Sequence, residues 1–300
     1  MPKRVLLAIN GRARRGRAAR EAAAEAFRAR GHEVVAITRD IPPGELSPAI
    51  VAHRDEVDAV VVGGGDGTLV TAIEGLIETK LPLVILPLGT FNELARTLGV
   101  PTDPAAVAAL VDEGVPLQLD VGRVNGVPYF NEASVGLSTR IARLQTHDVK
   151  QRLGMLAIPV TTLRALRSSR PMHLEIEDET GSVRRVRAVQ LTVSNSYRFG
   201  GIVENPEGSL EDGTLWLYSI DVRSWVHALG IVAAVLLRRF PHAPDVQAVK
   251  GARFRVRSVH GRRHRVFADS EDVSALPAEF VAVPRAVTVL VPADKAPTIR

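Results

Sequence analysis

Val60-Val61-Val62 runs directly into Gly63-Gly64-Gly65-Asp66-Gly67-Thr68. Consecutive glycines let the backbone take unusual angles and let another group approach closely. Their N–H groups, joined by those of a helix opening just after them, form a site for an anion such as phosphate. Asp66 beside a bare phosphate would be repelled. Its presence calls for a bridging cation, and magnesium is the ion that joins carboxylates to phosphates. Thr68 can cap the helix or bond a phosphate oxygen. The competing reading is a plain strand-to-helix turn with an aspartate cap. Three glycines followed by Asp-Gly-Thr weigh against it.

A second loop of the same kind follows one strand later, at Leu86-Pro87-Leu88-Gly89-Thr90-Phe91-Asn92-Glu93. In a parallel sheet both loops leave at the carboxyl edge, where ligands bind. Two phosphate-friendly loops on one edge are more specific than either alone. Neither the Walker phosphate loop nor the protein-kinase glycine loop is present. The dinucleotide fingerprint lacks its last glycine, which argues against a dehydrogenase.

The elements that must hold these loops alternate. Val5 to Ile9, Glu33 to Thr38, Asp58 to Val62 and Leu83 to Leu86 read as strands. Ala18 to Arg30, closed by Gly31, reads as a helix, as do Leu69 to Thr79, Phe91 to Leu98 and Ala105 to Glu113. Repeated βα units imply a parallel sheet with crossover helices. Near Leu117 the pattern changes to short strands punctuated by Asn125-Gly126, Glu179-Thr180-Gly181 and Asp212-Gly213, the signature of an antiparallel sheet or sandwich. Two helices are expected within it, at about Leu137 to Ser168 and Ser224 to Arg239. Val287 to Val291 resembles the early buried strands and is expected to return to the first domain. The division expected is therefore an α/β nucleotide-binding domain over residues 1–120 plus 286–300, and a β-sandwich domain over residues 121–285.

The chain's 300 residues suit two domains, and 46% hydrophobic residues suffice for a large core. With no cysteine, disulfides, thiolate nucleophiles and cysteine-bound zinc are excluded, and a reducing, cytoplasmic setting fits. The net charge of +5 favours anionic partners, although an arginine-rich composition explains it equally well. Aromatics make up only 4%, too few for a nucleic-acid stacking platform, so no nucleic-acid partner is expected. The N-terminal apolar run is too short for a signal peptide. Val226 to Leu237 falls short of the ~20 residues a spanning helix needs, and reads as a buried or interfacial helix. The eight histidines show no zinc spacing; His260 and His264 read as surface residues in a strand-like stretch.

These motifs together resemble the diacylglycerol kinase catalytic-domain family, which includes bacterial lipid kinases and sphingosine kinases. Gly64-Gly65-Asp66-Gly67-Thr68 and Pro87-Leu88-Gly89-Thr90-Phe91-Asn92 are similar to its two nucleotide motifs. Phe130-Asn131-Glu132-Ala133-Ser134-Val135-Gly136 resembles the start of its lipid-facing domain. Asn195, Gly200-Gly201 and Asp212-Gly213 follow its later pattern, and Ala268-Asp269-Ser270-Glu271 stands where the family carries Asp-Gly-Glu. The resemblance implies an α/β domain and a β-sandwich domain, with the active site in a cleft between them. It implies that Gly64 to Val70 cradles ATP phosphates and that Asn10, Thr38, Gly63, Gly89, Thr90, Asn92 and Glu93 also serve the nucleotide; Asp66 is expected to hold Mg2+. It further implies Glu271 as general base, assisted or oriented by Asp269. Asp212 would carry a structural magnesium with main-chain carbonyls near Ser209 and Thr214; a simple hairpin turn is the rival reading there.

Three positions depart from the family pattern. The first loop reads Asn10-Gly11-Arg12-Ala13-Arg14-Arg15-Gly16, and its arginines either touch phosphates or lie on the surface. The second motif ends in Glu93 where an aspartate is usual. Ser270 replaces a glycine, so either it takes a positive φ or the turn has changed. The function implied is an ATP-dependent lipid kinase acting on an alcohol such as diacylglycerol. An NAD kinase-like enzyme and a catalytically inactive nucleotide-binding sensor are the alternatives. Peripheral contact with an anionic membrane at the inner surface, and pairing as a homodimer, are left open.

Overall fold

A computed structural model of the chain describes residues 2–9, 16–36, 42–137, 170–196, 198–199, 203–205, 207–222, 227 and 246–295. It divides into two compact units. The first holds residues 1–121, 209–212 and 283–300; the second holds 122–208 and 213–282.

The first unit contains β1 (Arg4–Ile9), α1 (Gly16–Ala29), β2 (Glu33–Ala36), α2 (Leu46–Ala52), β3 (Ala59–Gly64), α3 (Asp66–Thr79), β4 (Leu83–Pro87), α4 (Glu93–Thr97), α5 (Pro104–Glu113) and most of β5 (Val115–Val124). Strands run parallel in the order β2-β1-β3-β4, with Val5 opposite Ala59 and Val60 opposite Leu83. All six residues of β3 and all five of β4 are buried, as continuous apolar runs in a sheet covered on both faces should be. A late strand, Ala278–Val291, adds Val289 beside Leu83, also in parallel. Its residues from 283 onward belong to this unit.

Local chemistry sets the helix ends. α1 buries Ala23, Ala24 and Phe27, and stops where Gly31 takes φ +83°. His32 N–H donates to the Phe27 carbonyl and Gly31 N–H to that of Arg28, closing a Schellman motif. α5 opens on Pro104, with Asp103 Oδ2 accepting the Ala106 N–H at 3.0 Å. α2 is an element that sequence reading does not predict. It is one short piece with Pro48 in its first turn, where a missing N–H costs no helix bond, and it exists because Leu46 and Ile50 are buried. Gly75 lets it approach α3: a Cβ there would lie 2.7 Å from the Ser47 carbonyl oxygen. The helix expected from Phe91 starts only at Glu93, because Asn92 takes a left-handed φ of +47°.

The second unit is an antiparallel β-sandwich. Its strands are β6 (Val127–Tyr129), β7 (Glu132–Gly136), β8 (Met172–Asp178), β9 (Val183–Ala188), β10 (Gln190–Ser194), the short β11 (Arg198–Phe199) and β12 (Val203–Glu204), β13 (Leu215–Ile220), β14 (Val246–Gly251), β15 (Arg253–Ser258), β16 (Arg265–Ala268), β17 (Glu271–Ala275) and the first residues of β18 (Ala278–Val291). One sheet runs β14-β13-β10-β7-β16-β17; the other joins β18, β15, β8 and β9. Leu191, Val193, Leu217, Phe254, Val256, Val266 and Phe280 are among the residues that fill the core between them. The turn at Asn125-Gly126 has both central residues at positive φ, as a tight two-residue hairpin requires. The expected helices lie outside the described residues, apart from Leu137 and His227. Among the described residues no helix is long and apolar enough to cross a membrane.

Candidate active site

In the first unit, β3 and β4 end side by side, with Gly63 opposite Leu86 and Gly64 opposite Pro87. Their following loops abut. Leu88 N–H donates to the Gly64 carbonyl at 2.9 Å, and a Cβ on Gly89 would stand 2.5 Å from Gly65 Cα. A side chain has no room at Gly89, and one on Gly65 would press on Gly89 Cα at 3.2 Å. The Asn92 side chain then ties the second loop to itself: Oδ1 accepts the Gly89 N–H and Nδ2 donates to the Gly89 carbonyl, both at 2.9 Å. Asn92 therefore shapes the loop with both ends of its amide.

α3 opens on this edge with no side-chain cap; the hydroxyl of Thr68 does not cap it. Gly65, Asp66 and Thr68 are half-buried, while Gly67, Gly89 and Thr90 are exposed. An uncapped N-terminus of a fourteen-residue helix beside two close-packed glycine loops offers main-chain donors and the positive end of a dipole. Asp66 has a task that sequence reading missed. Its Oδ1 accepts the Leu94 N–H at 3.2 Å and so anchors the first turn of α4. Among the described residues its other carboxylate oxygen meets no donor. Glu93, the first residue of α4, is half-buried and engaged in interactions of its own. Asn10 and Thr38 lie outside the described residues.

Among the described residues no group of three or more His, Cys, Asp or Glu could hold a metal ion alone. Asp66 with one free oxygen fits magnesium of the kind that takes one or two carboxylates and draws its other ligands from substrate phosphates and water. Asp212 is exposed, and Gly213 after it has φ +70°. Ser209 Oγ accepts the Glu211 N–H at 3.1 Å, which commits that hydroxyl to the turn. Ser209 and Asp212 fall in the first unit and Thr214 in the second. A buried carboxylate that sequence reading passed over, Asp120, holds the same stretch: its N–H donates to the Leu210 carbonyl at 2.7 Å, and Oδ1 accepts the Arg285 N–H at 2.8 Å. An acid between the buried apolar residues Leu119 and Val121 was the available signal.

In the second unit, Ala268-Asp269-Ser270-Glu271 forms the β16–β17 hairpin. Asp269 (φ +44°) and Ser270 (φ +74°) are both left-handed, the geometry of a type I′ turn. The position does demand a positive φ, and Ser270 adopts it. Asp269 points inward: Oδ2 accepts the Phe130 N–H at 2.7 Å, and Oδ1 accepts those of Asn131 and Glu132 at 3.0 and 3.1 Å. Three donors on one carboxylate leave it an anchor, not a free acid. Glu271, two residues on, is exposed on the same hairpin. Behind the anchor Asn195 donates to the Phe130 carbonyl at 3.1 Å. Tyr129 is fully buried with its hydroxyl unpartnered among the described residues. Burial first, then the charges of Asp269 and Glu132, push this phenol well above its ordinary range.

Residues 4–124 match the family described as diacylglycerol kinase catalytic domain, and residues 131–291 match the YegS C-terminal NAD kinase beta sandwich-like domain. The chain is 30% identical over 245 residues to a diacylglycerol kinase of Bacillus subtilis, covering 80% of each chain. It is 32% identical over 224 residues to a probable lipid kinase YegS-like of Pseudomonas fluorescens, covering 73% of each. In fold it is similar to the crystal structure of a diacylglycerol kinase from Bacillus anthracis, with a TM-score of 0.70 at 20% identity over 98% of both chains.

Proposed function

This chain belongs to the diacylglycerol kinase catalytic-domain family, and from that premise we propose that it transfers the γ-phosphoryl group of ATP to the hydroxyl of a lipid such as diacylglycerol. The observation that carries the donor half is the abutment of Gly65 and Gly89 beside the uncapped start of α3. Phosphoryl transfer asks a protein for positioning and charge neutralisation more than for covalent chemistry. The two loops and α3 supply positioned N–H donors. Asp66, whose second oxygen is unengaged among the described residues, would hold magnesium, which when bound would neutralise phosphate charge. Glu271 takes the proton of the acceptor hydroxyl, and Asp269 holds the hairpin that presents it. Asp212 is the candidate carboxylate of a second, structural magnesium. The relatives' names support the lipid acceptor.

The NAD kinase-like sandwich over residues 131–291 motivates a second reading, NAD as acceptor. Labelled ATP offered with lipid micelles and with NAD separates the two; phosphate on NAD and none on lipid would sink the lipid reading. Ser270 and Glu93 motivate a third, a nucleotide sensor that binds without transfer. Glu271→Gln should keep ATP binding and lose about 10²–10⁴-fold in turnover, the range for a general base. A wild-type protein that binds ATP and phosphorylates neither acceptor would favour the sensor.

A further inference from the structure

At the far end of the sandwich from the Asp269 turn, Arg170, His173, Ser258, His260, Arg262 and His264 rim a cavity of about 150 Å³. Its floor is Gly136, Pro171, Met172 and Val189. Gly136 has φ +110°, and a Cβ there would meet the Val189 carbonyl oxygen at 2.3 Å, so the floor has no side chain at that point. His260 and His264 sit not in a strand but in the turn between β15 and β16, closed by Gly261 at φ +65°. That turn folds back on β8: Val259 N–H donates to the His173 carbonyl at 2.9 Å. The rings of His173 and His260 meet edge to face at 5.3 Å.

Among the described residues the lining contains no carboxylate. Other arginines of the unit do pair with acids. Arg185 pairs with Glu175, Arg187 with Asp221, Arg253 and Arg255 with Glu279, Arg257 with Glu175 and Arg265 with Asp272. Arg170 and Arg262 have no such partner among the described residues. Two guanidiniums gathered with three imidazoles around a concave surface form a positive patch that an anion would complement. Guanidinium forks and imidazole N–H groups match the oxygens of a phosphate.

Size narrows the ligand. The cavity is below the ~300 Å³ at which pockets for whole drug-sized molecules begin. It equals about five waters at ~30 Å³ each, room for a phosphate group with the rest of its molecule outside. Position separates it from the reaction. β7 begins at Glu132, whose carbonyl accepts the Asp269 N–H, and ends at Gly136; β16 begins after His264 and ends before Asp269. Four residues of strand at ~3.3 Å each put the two ends about 13 Å apart.

We propose that this cavity is a second anion site, which takes the phosphate of a phosphomonoester or phosphodiester and is separate from the site of phosphoryl transfer. It stands independently of the kinase assignment. The source is free phosphate or a phospholipid headgroup, and the test distinguishes them. Full-length wild type, Arg262→Ala and Arg263→Ala are compared. Arg263 is exposed, adjacent and outside the lining, so its removal costs the same charge. Inorganic phosphate is titrated calorimetrically in a non-phosphate buffer. Co-sedimentation is measured with phosphatidylcholine vesicles, with and without phosphatidylglycerol. Arg262→Ala should weaken binding at least tenfold and Arg263→Ala less than twofold; Arg262→Lys should recover part of the loss. A loss confined to phosphatidylglycerol vesicles assigns the site to a headgroup, and a loss confined to inorganic phosphate assigns it to the free ion. Equal losses in Arg262→Ala and Arg263→Ala, or none in either, overturn the proposal. Arg170→Ala gives a second reading at the opposite wall should Arg262→Ala fold poorly.

Discussion

Ser270 shows at single-residue scale how a position's backbone demand outlives the residue that suits it. A non-glycine residue held left-handed costs about 1–3 kcal/mol, and Ser270 sits at φ +74°. Ser270→Gly should therefore raise stability by on the order of 1 kcal/mol, partly offset by glycine's larger chain entropy; denaturant unfolding checks it. Tyr129 carries a second prediction. Its hydroxyl is buried and unpartnered among the described residues, so Tyr129→Phe should cost nothing and should gain up to ~1–3 kcal/mol, the cost of an unmade buried hydrogen bond. The sign with pH follows from the raised phenol. Below about pH 10, the ordinary tyrosine value, both states keep the proton. Above it the unfolded chain releases a proton that the native state retains, so native stability falls as pH rises. Urea titrations at pH 8 and pH 11 should show the wild type losing ground to Tyr129→Phe at the higher value.

At the scale of elements, Asp66 belongs to α3 but anchors α4, so its charge and its hydrogen bond can be separated. Asparagine keeps an acceptor for the Leu94 N–H, and alanine does not. Asp66→Asn should unfold like wild type yet lose on the order of 10²-fold or more in turnover. Asp66→Ala should lose both activity and about 1 kcal/mol of stability, as a lost cap does. Wild-type turnover in Asp66→Asn would refute the magnesium role. The strands and most helices of the first unit were legible because apolar runs and glycine stops are local signals. α2 was not: Pro48 reads as a helix breaker in sequence, and only packing against Gly75 makes it a helix. Asn92 likewise gave no local sign that it would delay α4 by reversing the chain at φ +47°.

At the scale of the molecule, the first unit borrows chain from far along the sequence. Residues 283–300 complete the first unit, where Val287, Val289 and Val291 are at most 1% exposed. Removing them strips a buried neighbour from β4, and a core truncation of even one such side chain costs about 2–5 kcal/mol. A fragment ending at Ala282 should therefore lose cooperative unfolding of the first unit and its ATP binding together, while the sandwich core, which ends at Ala282, persists. Near-UV circular dichroism and calorimetry read both.

By itself the sequence determined the alternation of β and α, the change to short strands after Leu117, the two glycine loops and the turn at Asn125-Gly126. Each depends on neighbours along the chain: backbone freedom, apolar period, turn chemistry. Tertiary structure alone decided that Gly65 touches Gly89, that Asp66 also caps α4, and that Asp269 is spent on three backbone donors. It also gathered His260, exposed as expected, and the half-buried His264 with Arg170 and Arg262 around one cavity. These pairs lie tens to more than a hundred residues apart. Their chemistry depends on distance in space, burial and the partners already taken, none of which a residue's own neighbourhood in sequence encodes.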